Sequence, residues 1–253
     1  MAIEVFNRHE NKYLINSATV DQLQNDLMLR MVLDPYNQKF STYTITNIYY
    51  DTDDSFLIRT SLQKPCYKEK LRLRGYGVPG LDDKVYVEIK KKVNGLVNKR
   101  RSAIKLVEAY DFLNSGQLPE PQPIHNRQVL REIAYLLSQH ELKPRLYLAY
   151  DRRAYFGQDD SDLRVSFDCN IRCRRDDLRL EAGDFGEQLL PDGCWLMEIK
   201  TARGIPFWLS RLLSERQIFP TWAAFMNWFT QLKPKPISMK KSLLTSYAAV
   251  TAI

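Results

Sequence analysis

Two spacings of apolar residues alternate along this chain. Period two marks strands, because side chains two apart share a face, and a period near 3.6 marks helices. Residues 3–15 read as a first strand that puts Arg8, Glu10 and Lys12 on one face. Ser17 is expected to cap a helix reaching about Met31, with Val20, Leu23, Leu27 and Met31 as its apolar stripe. Residues 43–51 are rich in β-branched and aromatic side chains and predict a second strand, and 55–60 a short helical turn. Residues 68–74 and 84–92 predict a hairpin with a long, Gly-rich connection, and Asn94-Gly95 turns it into a strand over 96–104. A short helix over 105–113 and a Pro-rich stretch over 117–125 follow. A second long helix spans 126–142, with Val129, Leu130, Ile133, Leu136 and Leu137 inward, and Pro144 stops it. Strands are predicted over 145–156, 163–169 and 194–200, with 170–181 as an extended edge carrying Arg172 and Arg174. Pro206 opens a short helix at the favoured first position, and Thr221 caps a last one carrying Phe225, Trp228, Phe229 and Leu232. About eight antiparallel strands with intervening helices make an α+β pattern. It is read as one domain over 1–253 with a helical segment from about 206.

The polar positions on these strands change the picture. Lys68, Lys70, Arg72 and Arg74 alternate with Glu69, Leu71 and Leu73; Tyr86, Glu88, Lys90 and Lys92 alternate with Val87, Ile89 and Lys91. Residues 68–101 hold eleven Lys or Arg against four Asp or Glu, a net of +7 that equals the formal charge of the whole chain. Other strands add Lys99 and Arg101, Arg152, Arg164 with Ser166 and Asp168, and Glu198 with Lys200. If the rows face bulk solvent, the opposite faces form one core and the charges are a plain surface. If the sheet closes into a barrel, they line its lumen. A dry lumen could not hold so many cations, because of desolvation and mutual repulsion, so it would be wet and filled by a polyanion. Arg suits bidentate phosphate contacts and Lys acts as a point charge. The isolated acids Glu10, Glu88 and Glu198 could hold Mg²⁺ or Mn²⁺ against phosphate oxygens, or simply pair with neighbouring cations. Val87-Glu88-Ile89-Lys90 is echoed by Met197-Glu198-Ile199-Lys200, as if two related positions in one sheet.

The remaining features are quieter. A stretch of about 18 apolar residues, the signature of a membrane helix, is missing from the 253 residues, and the N-terminus has no apolar signal core. Cys66, Cys169, Cys173 and Cys194 form no C-x-x-C pair and are expected as free thiols in a reducing cytoplasm. His9, His125 and His140 flank no ligand cluster, the four Trp are expected in the core, and Asp51-x-Asp53-Asp54 is expected as a turn. A pI near 9.1 points to a polyanionic partner, and basic clusters of this kind also suit a nucleic-acid surface.

Six motifs in order carry a family resemblance: Arg8-x-Glu10-x-Lys12-Tyr13, Lys70-Leu71-Arg72-Leu73-Arg74, Glu88-Ile89-Lys90-x-Lys92 with Lys99-Arg100-Arg101, Tyr150-x-Arg152-x-Ala154-Tyr155, Leu163 to Asp168, and Glu198-Ile199-Lys200 before Pro206-Phe207-Trp208-Leu209. Together they resemble the VTC domain, the polyphosphate polymerase domain among the CYTH-like triphosphate tunnel metalloenzymes. The resemblance implies a closed, antiparallel eight-stranded β-barrel forming a tunnel, with helices packed outside. It implies a metal-dependent transfer of the γ-phosphate of ATP to a growing polyphosphate chain, in the cytoplasm. Carried over by motif, Lys12, Arg72, Arg74, Lys90, Arg152 and Arg164 resemble phosphate-binding residues, joined by Arg8, Lys70 and Lys200. Lys99 or Arg101 stands near a further family lysine, and Glu198 resembles the metal-binding carboxylate for Mn²⁺ or Mg²⁺, with Glu10 and Glu88 as further candidates. Arg8 replaces the first glutamate of typical CYTH enzymes, which favours the polymerase branch. The family's C-terminal lysine is matched by Lys240 or Lys241. ATP and polyphosphate or triphosphate are the expected partners, DNA is not, and a membrane partner protein is compatible with the family. A triphosphate or polyphosphate hydrolase, and a non-catalytic polyphosphate- or RNA-binding module, stay open beside the polymerase.

Overall fold

The computed structural model describes residues 5–6, 9–63, 65–94 and 96–220. Arg8, Gly95, the helix expected from Thr221, and Lys240 and Lys241 lie outside these residues. The described elements run, in order, β1 (Val5–Phe6), β2 (His9–Asn16), α1 (Ser17–Leu27), β3 (Met31–Leu33), a 3₁₀ turn (Pro35–Gln38), β4 (Tyr43–Asp51), α2 (Phe56–Leu62), β5 (Tyr67–Tyr76), β6 (Lys84–Val93) and β7 (Leu96–Lys105). Then come α3 (Leu106–Ser115), α4 (Arg127–Gln139), β8 (Lys143–Gly157), β9 (Arg164–Arg174), β10 (Glu187–Gln188), β11 (Cys194–Thr201) and α5 (Phe207–Glu215). The α+β pattern stands: every strand pair is antiparallel, and the helices pack on one face of the sheet. No helix among the described residues is long and apolar enough to cross a membrane.

The closed eight-stranded barrel needs correction. The described strands form one eleven-stranded sheet whose hydrogen-bonded path is open, running β1-β7-β6-β5-β4-β8-β9-β11-β2 with β3 on β8 and β10 on β9. Its two ends are consecutive stretches of chain: β1 pairs with β7 and β2 pairs with β11. No rung between the two ends is described; the first predicted strand contributes to both, β1 and β2 being separated only by residues 7 and 8.

The outer face is apolar for the reason the pattern suggested. Leu71, Leu73, Val85, Val87, Ile89 and Ile104 lie under α3 and α4, whose Phe112, Val129, Leu130 and Ile133 meet them. Tyr13, Val165, Phe167, Met197 and Ile199 lie under α1 and α5. Each such side chain contributes roughly 1.5–3 kcal/mol on burial. Ile133 is fully buried, so Ile133→Ala should destabilise the protein by about 2–5 kcal/mol in a denaturant titration. A loss below about 1 kcal/mol would mean that α4 does not hold the sheet.

Local chemistry moved several boundaries. Asn16, not Ser17, caps α1, its side chain accepting from Thr19 N at 2.9 Å. The helix stops at Leu27, and Met31 instead enters β3 opposite Gly157. Asn126 caps α4, which ends at Gln139, while Pro144 lies inside β8. Asp51 explains the acidic turn: its carboxylate accepts from Leu57 N at 2.8 Å and Ile58 N at 3.0 Å and so starts α2. The strand after 163 does not trail off as an edge. It continues to Arg174, but β8 and β9 shift register between Ala149 and Asp151, and Asn170 sits at φ 49°. The extra residue exchanges the two faces. Arg164, Ser166 and Asp168 face inward before it, whereas Arg174 afterwards donates to the carbonyls of Asp177, Arg179, Gly183 and Phe185 and serves the following loop.

Candidate functional site: a cationic cavity inside the sheet

The sheet curls around a cavity that opens to solvent. Its lining draws one residue or more from β4, β5, β6, β7, β8, β9 and β11. Eight of the ten lining residues are cations: Lys70, Arg72, Arg74, Lys90, Lys99, Arg152, Arg164 and Lys200. Only Glu88 among them is acidic, and Tyr49 completes the set. Register explains the convergence. Lys70 faces Lys90, Arg72 faces Glu88, and Lys90 faces Lys99 across β5, β6 and β7. On the far wall Arg164 faces Lys200, and Glu198 faces Lys12. Among the described residues, all of the predicted cationic positions except Arg101 therefore meet at this cavity or beside it. Arg101 stays exposed, its guanidinium 4.7 Å from the Tyr86 ring centre.

The cations fall into held and loosely held classes. Arg72 donates to Glu88 at 2.7 Å and to the Tyr49 hydroxyl at 2.9 Å. Arg74 donates to Asn47 at 2.9 Å and to the Tyr150 hydroxyl at 3.0 Å. Arg152 makes a bidentate pair with buried Asp168, both contacts at 2.7 Å. These partners fix the guanidinium planes before any ligand arrives. Arg164 stands 3.7 Å from Asp34, and Lys99 stands 3.1 Å from Glu88. Lys70 has no ion-pair partner among the described residues. Burial, and then Lys90, Lys12, Lys68 and Arg72, push its ammonium down to about 7. Burial also lowers Lys90, with Glu10 partly opposing.

The three acids differ. For Glu88, burial opposes ionisation, but Arg72, Arg74 and Lys99 overcome it and hold the carboxyl well below the usual range. Three cations thus occupy it. Glu198 is buried and likewise kept well below the usual range, because Lys200, Lys12, a hydrogen bond with Glu10, and Arg152 outweigh desolvation. Lys200 Nζ lies 2.9 Å and Lys12 Nζ 3.5 Å from it, yet neither carboxylate oxygen accepts a hydrogen bond of ordinary geometry from the cations around it. Glu10 is raised, by burial first and then by its contact with Glu198. Buried Glu198, its oxygens not fully satisfied and the more exposed Glu10 carboxyl beside it, suits a hard divalent cation. Glu10 and Glu198 fit that role, whereas Glu88 has its charge already spent on Arg72, Arg74 and Lys99. The described residues include no cluster of three or more His, Cys, Asp or Glu, so most ligands to such an ion would come from phosphate and water.

Sequence reasoning missed Asn47, Tyr49 and Tyr150, which orient Arg72 and Arg74, and Asp34, which meets Arg164. Residues 43–51 carry no predicted site residue, and residues 145–156 carry Arg152 alone. Their inward positions mix Asn47 and Tyr49 with Ile45, and Tyr150 with Leu146 and Leu148, so no row of charge advertises them. These aliphatics pack with Ile171, Cys173, Leu190 and Leu196 into an apolar cluster beside the cations. The inner face is therefore part charged and part dry.

Comparison with known proteins agrees with this architecture. The family model for the VTC domain matches residues 7–223. The chain belongs to the VTC domain family. It is 26% identical over 206 residues to vacuolar transporter chaperone complex subunit 4 of Schizosaccharomyces pombe, covering 71% of this chain and 28% of that protein. The subunit of the same name from Trypanosoma brucei brucei is 29% identical over 168 residues, covering 56% of this chain and 20% of that protein. The chain thus spans under a third of the length of either relative. Among solved structures, a candidate adenylate cyclase from Bacillus halodurans superposes with a TM-score of 0.51 at 16% identity, covering 94% of this chain and 98% of that one. At that identity the likeness is one of fold.

Proposed function

We propose that this VTC domain is a metal-dependent phosphotransferase that extends polyphosphate from ATP. The observation that carries the reading is the cavity itself: eight cations converge on one space with a single acid among the lining residues. A linear phosphate chain has the matching charge density, and its oxygens suit guanidinium forks. Arg72, Arg74 and Arg152, held rigidly by their partners, would orient the triphosphate. Lys70, Lys90 and Lys99, together with Lys12, Lys200 and Arg164, would supply compensating charge. The terminal oxygen of the acceptor chain attacks the γ-phosphorus in line, a new P–O–P link forms, the β–γ bridge breaks, and ADP leaves. An anionic phosphate nucleophile needs no general base, so positioning and charge neutralisation provide the catalysis. Glu198 and Glu10 would hold Mg²⁺ or Mn²⁺, which when bound neutralises charge on the phosphate oxygens. The names of the relatives, as subunits of a vacuolar transporter chaperone complex, support a larger assembly with a membrane partner.

Incubation with ATP and Mn²⁺ tests the reading. Long polyphosphate, visible on a gel, is the expected product. Free phosphate alone would replace the polymerase with a triphosphatase in the same cavity. Tight, salt-dependent binding without turnover would leave a binding module.

Protonation supplies a second test. Burial and the neighbouring cations bring the Lys70 ammonium down to about 7, and a bound polyanion raises that value. Below pH 7 Lys70 is charged in both states and contributes no pH dependence. Above pH 7 binding must take up a proton, so tripolyphosphate affinity should fall by up to about tenfold per pH unit until the bound-state value is passed. Calorimetry at pH 8 in two buffers of different ionisation enthalpy should show the uptake, and Lys70→Gln should lessen it, the remainder coming from Lys90 and Lys99, which burial also lowers. Unchanged uptake in Lys70→Gln would refute the assignment.

A further inference from the structure

The rows of charge end, at one rim, in tyrosines. Tyr76 follows Arg72 and Arg74 on the inner row of β5, and Tyr86 precedes Glu88 and Lys90 on the inner row of β6. Tyr43 sits on β4 opposite Arg152. Tyr36, on the 3₁₀ turn, leans over them. The four rings touch in series. Tyr36 and Tyr76 lie parallel within 5° at 6.0 Å, Tyr43 is 5.5 Å from Tyr36 and 6.3 Å from Tyr76, and Tyr86 meets Tyr76 edge-on at 5.9 Å.

This rim is continuous with the cavity. Asp34 Oδ2 is reached both by the Tyr43 hydroxyl at 3.4 Å and by Arg164, a cavity cation, at 3.7 Å. The step from Arg74 to Tyr76 along one strand face is about 7 Å. Unlike core aromatics, two of the rings are wet: Tyr36 is 60% exposed and Tyr76 is 38% exposed. A phosphate chain alone gives such rings nothing to bind, since it is hydrophilic throughout. A nucleotide pairs a polyanionic tail with a flat, stackable head, and the protein presents a cationic cavity next to exposed flat rings.

We propose that the tyrosine rim, chiefly Tyr36 and Tyr76, binds the base of a nucleoside triphosphate whose phosphates occupy the cationic cavity. The assignment rests on the cavity's reading as a phosphate-chain site and adds a means of telling a nucleotide donor from an inorganic phosphate chain. Stacking uses the π-face that every base has, and no hydrogen-bonding group on the rim is needed to read a base edge. The rim therefore favours nucleotides over inorganic triphosphate while discriminating weakly among bases.

The test is a metal-free titration of ATP and of inorganic tripolyphosphate against the wild type, Tyr36→Ala, Tyr76→Ala and Tyr76→Phe. ATP affinity should fall about 5- to 100-fold in the alanine variants and stay near wild type in Tyr76→Phe. Tripolyphosphate affinity should stay within about twofold throughout. Tyr36 is on an exposed turn, so Tyr36→Ala keeps the test open if Tyr76→Ala disturbs the sheet. ATP binding that survives in Tyr36→Ala and Tyr76→Ala overturns the assignment, as does an equal loss of both ligands. Wild-type protein that binds neither ligand overturns the cavity reading itself, a result distinct from the first two.

Discussion

Glu198→Gln is expected to reduce metal-dependent turnover by about 10²- to 10³-fold while leaving tripolyphosphate binding without metal undiminished. The two halves of this expectation have opposite signs for a physical reason. Glu198 lies between Lys12 and Lys200. Removing its charge frees two ammonium groups and makes the cavity more positive, so a bare polyanion gains attraction. The same change removes one of the two carboxyl groups that fit a divalent cation. A merely structural Glu198 would lower both quantities together. Turnover assayed across a Mn²⁺ series, beside binding measured in chelator, separates the cases, and full activity in Glu198→Gln would sink the assignment of Glu198 to the metal.

Arg72→Ala should abolish most activity, by about 10²-fold or more, and should also destabilise the fold. It strips buried Glu88 of its 2.7 Å partner, and breaking a buried pair by removing one member costs about 3–5 kcal/mol. Loss of activity in that variant alone would therefore be ambiguous. The double variant Arg72→Met with Glu88→Gln removes both charges, and its stability should return to within about 1–2 kcal/mol of the wild type. Its phosphate binding and turnover should remain lost. A stable double variant with near-normal turnover would mean that the Arg72–Glu88 pair is only scaffolding.

Much of the site was legible because alternation is a local property. Lys70, Arg72 and Arg74 share a face with no knowledge of the rest of the molecule, and so do Glu88 with Lys90 and Glu198 with Lys200. The apolar positions between them likewise announced which face the helices cover. The reading failed where a residue's face depends on its neighbouring strand. Arg172 and Arg174, expected only as part of an extended edge, share the parity of Arg164 and Asp168, yet the register shift near Asn170 turns them outward. A shift of this kind is settled by pairing with β8, and residues 163–174 carry no local sign of it.

The echo between 87–90 and 197–200 makes the same point about chemistry. Both tetrapeptides place a glutamate inward, and both glutamates are buried. Glu88 meets Arg72, Arg74 and Lys99, and one of its two oxygens is hydrogen-bonded by Arg72. Glu198 meets Lys12, Lys200 and the carboxyl of Glu10, and its oxygens remain incompletely satisfied. The shared Glu-Ile-Lys gives different prospects for holding a metal, because the opposing walls differ.

The amino-acid order alone determined the long strands, the charged and apolar faces of most of them and the α+β class, and it pointed to a polyanionic partner, since all of these follow from side-chain periodicity and charge. Tertiary structure decided that the sheet path stays open with β1 and β2 at its two ends, and that Asn47, Tyr49 and Tyr150 orient the arginines. It also decided that Glu10 pairs with Glu198 and that four tyrosines from separate segments form one rim. Each of these depends on which strands lie side by side or face each other across the cavity, and contacts between residues far apart in the chain are fixed by packing of the whole sheet, not by the spacing within any one strand.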